Sequence, residues 1–127
     1  MTQPADESAR RDLSARRGSF IAVWVMPIGL AGLITAFAAG PGWIAPGAWT
    51  AALAWMGGAC LLNARRCRRL HCYFSGPLLL LGALASLALG AGVLDLGDNG
   101  LTIIVLTTLA LASMTYGLEY IWGRYRS

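Results

Sequence analysis

The chain has 127 residues, of which 57% are hydrophobic and only 13% charged, with a formal net charge of +4. Soluble domains carry roughly 25% charged residues, so this composition excludes an ordinary water-facing surface. The positive balance does not read as a nucleic-acid surface either, because all ten basic residues are arginines gathered in short clusters at the ends of apolar runs. Three cysteines are an odd number, which rules out a fully paired disulfide framework within one chain.

Residues 1–19 are polar and hold Asp6, Glu7, Arg10, Arg11, Asp12, Arg16 and Arg17. Such a segment buries too little apolar area to offset ordering entropy, and a mobile tail is expected. Arg10-Arg11 shares only the pair itself with a twin-arginine signal. Ala36-Phe37-Ala38 has the small-x-small form of a cleavage site, but the apolar run before it exceeds the ~7–15 residues of a signal core.

Residues 20–39 form the first expected span. Twenty residues at about 1.5 Å each reach about 30 Å, one hydrocarbon thickness. Pro27 lies inside it, where a kink is expected. Residues 40–47 hold Gly40, Pro41, Gly42, Pro46 and Gly47 and read as a turn. Trp43 there suits a membrane interface. The second span is expected over 46–62, with Pro46 in its first turn. An arginine-rich connection follows, with Arg65, Arg66, Arg68 and Arg69. The third span begins near Tyr73 or Pro77 and ends near Leu94. Asp95 to Gly100 is the next turn, with Asp98 or Asn99 as N-cap. The fourth span covers 101–122, and Tyr116, Tyr120 and Trp122 make an interfacial belt. No internal repeat is evident. The fold expected is therefore all-α: a four-helix bundle integral to the membrane, with a C-terminal tail over 124–127.

The arginines fix an orientation. They fall before span one, between spans two and three, and after span four, and the other two loops contain none. By the positive-inside bias both termini are expected in the cytoplasm, and the plasma (inner) membrane is the expected location. Gly32, Ala36 and Gly40, and Gly82, Ser86 and Gly90, recur at four-residue spacing, which allows close helix contact. The expected use is packing within the bundle, with a homo-oligomer seam as the alternative.

The stretch from Cys60 to Pro77 gathers all three cysteines and the only histidine. On one continuous helix at about 100° per residue, Cys60, Cys67 and His71 fall within about 40° of one another, and Cys72 about 120° from Cys60. A turn at His71 would instead bring Cys72 toward Cys67. Thiolate and imidazole suit a soft metal ion such as Hg, Cu or Zn, and nearby arginines favour thiolate. Cys60, Cys67, His71 and Cys72 are thus the candidate metal ligands, without the paired Cys-x-x-Cys spacing of a zinc knuckle. Arg65, Arg66, Arg68 and Arg69 are candidates for contact with membrane lipid or another membrane subunit. Glu119 is expected to pair with Arg65, Arg66 or Arg124, with proton coupling as the alternative.

The run Asn63-Ala-Arg-Arg-Cys67-Arg-Arg-Leu-His71-Cys72-Tyr73-Phe-Ser-Gly76-Pro77 resembles a signature of small prokaryotic multi-span membrane proteins. More loosely, the chain is similar to the Mer-type mercuric-ion membrane transporters, which are short, helical and use membrane-proximal cysteines. That likeness implies movement of a soft cation between thiols. Those proteins carry an adjacent cysteine pair in their first span, where this chain has none. The chain resembles four-span multidrug exporters in size but lacks an acid deep in span one. The expected function is non-enzymatic handling of a soft metal ion. The alternatives are a membrane partner subunit and a thiol oxidoreductase working against a quinone.

Overall fold

The computed structural model describes residues 7, 10, 12, 16–38 and 40–123, with the backbone alone at Cys67. Most of the expected N-terminal tail, and all of 124–127, lie outside the described residues. The described chain is all-helical. Its four long helices are α1 (Arg17–Phe37), α2 (Ile44–Cys67), α3 (Leu70–Gly90) and α4 (Gly100–Trp122). Each is long and apolar enough to cross a membrane.

The irregularity in α1 sits where the sequence predicts a kink. A π-helical turn over Ile21–Val25 precedes the α-helical part Met26–Phe37. A proline ring clashes with the carbonyl four residues back and lacks the N–H that would bind it. For Pro27 that carbonyl belongs to Val23, inside the widened turn. Two other boundaries shift. The connection expected to run over 63–71 is helical through Cys67, because Ala64, Arg65 and Arg66 are good helix formers and cations suit a helix C-terminus. The helix stops at Arg68, which takes a left-handed conformation with φ 54°, and α3 begins at Leu70 rather than Tyr73. Asn99 stands at the N-cap of α4 without a side-chain capping bond. In the preceding turn the Gly97 N–H donates to Asp95 Oδ1 at 3.0 Å.

The helices pack in sequence order, α1 on α2, α2 on α3 and α3 on α4. The α2–α3 contact is the most intimate. A Cβ on Gly57 would come within 3.0 Å of the Gly76 carbonyl oxygen and 2.9 Å of Leu80, so only glycine lets these backbones approach so closely. The Gly82–Ser86–Gly90 row also faces inward. Gly82 lies against Thr108 of α4, Gly90 against Pro46, and Ser86 is fully buried. α1 is tied to α2 by Trp49 Nε1 donating to Thr35 Oγ1 at 3.0 Å. In contrast, α1 and α4 share no comparable backbone packing. They meet through Trp24 Nε1, which donates to Tyr116 Oη at 2.9 Å, and through a second core cluster that joins Ala31 of α1 and Val105 of α4 with Trp49 and Ala52 of α2. The outward faces carry Leu33, Phe37, Leu81, Leu84, Leu106 and Met114, all exposed, as lipid-facing surfaces would be.

The buried core includes Leu53, Met56, Cys60, Ala64, Cys72, Leu79 and Ala83, all on α2 and α3. The C-terminus of α2, the N-terminus of α3 and the C-terminal turns of α4 meet at one end of this core. The candidate site is there.

Candidate functional site

The α2–α3 turn decides the geometry. Two residues, Arg68 and Arg69, reverse the chain, so α3 runs back along α2. His71 and Cys72 therefore return beside the helix that carries Cys60 and Asn63. The continuous-helix placement of Cys60, Cys67 and His71 on one face does not occur, and neither does a turn at His71. Cys72 comes to the side of α2 that carries Cys60, and both are buried in one cluster. The Cys67 side chain lies outside the described residues.

Around these thiols runs a closed ring of polar contacts. Asn63 Nδ2 donates to Asp12 Oδ1 at 2.9 Å and to Cys72 Sγ at 3.5 Å. Asp12 Oδ2 accepts from Arg69 Nη1 at 2.5 Å. Arg69 Nε donates to Glu119 Oε1 at 3.0 Å, and Nη2 to Oε2 at 3.4 Å. Glu119 Oε1 also lies 2.6 Å from His71 Nδ1, and His71 Nε2 lies 3.4 Å from Cys72 Sγ. A carboxylate only accepts, so Nδ1 carries the proton toward Glu119, and in the neutral ring Nε2 offers its lone pair to the thiol. Cys60 is served separately, with Ser75 Oγ donating to its sulfur at 3.4 Å.

Burial makes these contacts matter. Asp12, Asn63, His71 and Cys72 are each 0% exposed, and Arg69 is 8% exposed. Buried charges persist only when paired and hydrogen-bonded, and here two carboxylates clasp one guanidinium. Burial opposes the charge on Arg69, but the Glu119 and Asp12 carboxylates outweigh it and hold the group more firmly protonated than in water. An aromatic lid completes the ring. Tyr116 stacks on His71 with centroids 3.9 Å apart and planes at 23°, and the Arg69 guanidinium carbon lies 6.0 Å from the Tyr116 ring centroid.

Several expected roles change. Arg69 is not a lipid contact: it is buried and ion-paired, whereas Arg65, Arg66 and Arg68 are exposed. Glu119 pairs with Arg69 and His71 in place of the expected Arg65, Arg66 or Arg124, because the tight turn delivers Arg69 to α4. Arg124 lies outside the described residues. Asp12, from the segment expected to be a mobile tail, is fully enclosed. Sequence reasoning also missed Asn63, Ser75 and Tyr116. For Tyr116 a signal existed, since it lies three residues before Glu119 and so shares its helix face. Nothing local marked Asp12.

Beside the thiols lies a cavity of about 240 Å3 lined by all four helices: Trp24 and Ile28 from α1, Met56 and Cys60 from α2, His71, Ser75 and Leu79 from α3, and Leu109, Ala112, Ser113 and Tyr116 from α4. On the other side of Tyr116 a more polar hollow is lined by Arg69, Tyr116, Glu119 and Tyr120. Among the described residues no three His, Cys, Asp or Glu side chains form a group that could hold a metal ion.

The fold and site together define a class: a bundle of four membrane-length helices closed at one end by a buried polar ring that includes one thiol, Cys72, and lies beside a second, Cys60. No family model, curated protein or solved structure matches the chain.

Proposed function

We propose that this is a multi-pass protein of the plasma membrane, with both termini cytoplasmic, that captures a soft, thiophilic cation on Cys60 and Cys72. The observation that carries this reading is the sulfur pair held beside an imidazole whose far nitrogen is fixed by a carboxylate. A carboxylate on the second ring nitrogen is the usual support for a metal-ligating histidine, and the Glu119–His71 contact of 2.6 Å supplies it. Both sulfurs receive hydrogen bonds, from Asn63 and from Ser75.

Donor number narrows the cation. A four-ligand zinc site needs more donors than the described side chains bring together. A d10 ion such as Cu(I) or Hg(II) accepts two thiolates in linear coordination, and His71 Nε2, 3.4 Å from Cys72 Sγ, is the neighbouring nitrogen. Cys67 lies seven residues beyond Cys60 on α2, about 10 Å along the axis, and acts as the thiol that receives or hands on the ion. Arg65, Arg66 and Arg68, exposed at the same end, contact anionic lipid or a partner subunit.

The test is metal content. Reduced protein purified in detergent is exposed to Cu(I) or Hg(II), desalted and measured by plasma mass spectrometry. One ion per chain is expected for the wild type, and none for Cys60→Ser or Cys72→Ser. Full metal content in both variants would end this reading.

A further inference from the structure

The cavity beside Cys60 has properties that a bare cation does not need. Its walls are apolar, formed by Ile28, Met56, Leu79 and Leu109 among others. Its one chemically active end is formed by Cys60, His71, Ser75 and Tyr116. The cavity is not fully enclosed. α1 and α4 are bridged there by side chains, through Trp24 and Tyr116, rather than by close backbone packing. If these helices cross a bilayer, a molecule dissolved in the acyl chains that enters between these loosely packed helices reaches the thiol without passing through water.

Size limits the ligand. An apolar cavity of about 150 Å3 holds benzene, so about 240 Å3 takes one six-membered ring with small substituents, not a fused polycycle. Three aromatic side chains (Trp24, His71 and Tyr116) border it, as suits a flat ring. Tyr116 Oη accepts its hydrogen bond from Trp24, so its own O–H proton can be donated to an oxygen on the ligand. Cys60 faces the cavity while Cys72 stands behind it, beside both Cys60 and the imidazole. A flat, lipid-soluble ring bearing oxygen, placed against one thiol of an adjoining pair, describes a substituted benzoquinone.

We propose that the cavity binds a lipid-soluble benzoquinone through the α1–α4 gap, and that the Cys60–Cys72 dithiol reduces it. The Cys60 sulfur adds to the quinone ring, forming a C–S bond. His71 Nε2 takes the Cys72 proton, and the Cys72 sulfur attacks Cys60. An S–S bond forms, the C–S bond breaks, and its electron pair stays on the ring. The two thiol protons end on the two ring oxygens, one from Cys60 and one by way of His71, with Tyr116 hydrogen-bonded to the nearer oxygen. In sum, two thiols and one quinone give one disulfide and one quinol. The reaction uses the same sulfurs as the cation reading but does not depend on it, since it takes place in metal-free protein.

The experiment uses full-length protein in lipid nanodiscs, reduced, stripped of metal with a chelator and kept anaerobic, with decylubiquinone as the probe. Quinol is followed by ultraviolet absorbance and the thiol products by peptide mass spectrometry without reductant. Expected are one quinol per chain and a Cys60–Cys72 cross-linked peptide. Cys72→Ser should form no quinol, and Tyr116→Phe should slow the reaction about tenfold. No quinol from the wild type, or a disulfide that engages Cys67 instead, overturns the proposal, and neither result depends on whether a variant folds. Quinone reduction without metal binding, or the reverse, tells the failure of one reading from the failure of the other.

Discussion

Arg69 and Glu119 meet in a two-point contact, Nε to Oε1 at 3.0 Å and Nη2 to Oε2 at 3.4 Å, across the end of the bundle. The guanidinium reaches there because the chain reverses within two residues, and Asp12 closes its other side. Removing one partner of a buried pair leaves an uncompensated charge, at a cost of about 3–5 kcal/mol. Arg69→Gln should therefore destabilise the folded protein by about that amount, read from unfolding in detergent by circular dichroism. Arg69→Lys keeps the charge but loses the planar fork, so it should fall between wild type and Arg69→Gln. Equal stability of wild type and Arg69→Gln would show that the ring does not hold this end together.

The close approach of α2 and α3 yields a paired test. Gly57→Ala places a methyl 3.0 Å from the Gly76 carbonyl and 2.9 Å from Leu80, and overpacking of this kind costs about 1–3 kcal/mol. Gly32→Ala meets nothing within 4 Å. It also exchanges glycine for the better helix former, a gain of about 0.5–1 kcal/mol. The first variant should lower the unfolding temperature and the second should leave it unchanged or raise it. The same shift in both would mean that the glycines do not define the α2–α3 interface.

These relationships also show why some of the architecture could be read in the chain and some could not. Four helices of membrane length follow from apolar runs near 20 residues, a local property that needs no knowledge of neighbours. Glu119 stood out because ionisable groups are rare in such runs, and His71 because it is the only histidine and lies among the cysteines. The grouping of the thiols was different, because it depends on where α2 ends. Arg68 adopts φ 54°, a conformation for which arginine has no preference, so no turn signal marked where in the arginine-rich connection the chain reverses. One residue's backbone thus decides whether Cys72 faces away from Cys60 or toward it. Asp12 was out of reach for a related reason: its partner Arg69 is 57 residues away, and the segment around it carries no apolar pattern to announce that it packs.

Asp12 and Asn63 wall off the Cys72 sulfur, since Asn63 spans from the carboxylate to the thiol. Asp12→Ala removes the acceptor that orients the Asn63 amide and takes from Arg69 one of its carboxylate partners. Alkylation of Cys72 by N-ethylmaleimide should then rise several-fold over wild type. Cys60, on the cavity side and bonded to Ser75, should change little. Peptide mass spectrometry separates the two sites. Equal acceleration at both would indicate general loosening rather than an opened wall at Cys72.

Glu119 touches neither sulfur, yet it fixes the histidine that does. With its carboxylate 2.6 Å from Nδ1, Nε2 is the nitrogen directed at Cys72. Replacing such an outer support lowers metal affinity by about 10–100-fold while leaving the ligands in place. Glu119→Gln should weaken Cu(I) binding by that factor in competition with a chromophoric chelator, and the stoichiometry at saturating metal should stay at one per chain. His71→Ala should weaken binding at least as much, and adding Glu119→Gln to it should bring little further loss, because the carboxylate acts through the ring. Fully additive losses would show that Glu119 works independently of His71, and the carboxylate–imidazole–thiol chain would no longer account for the site.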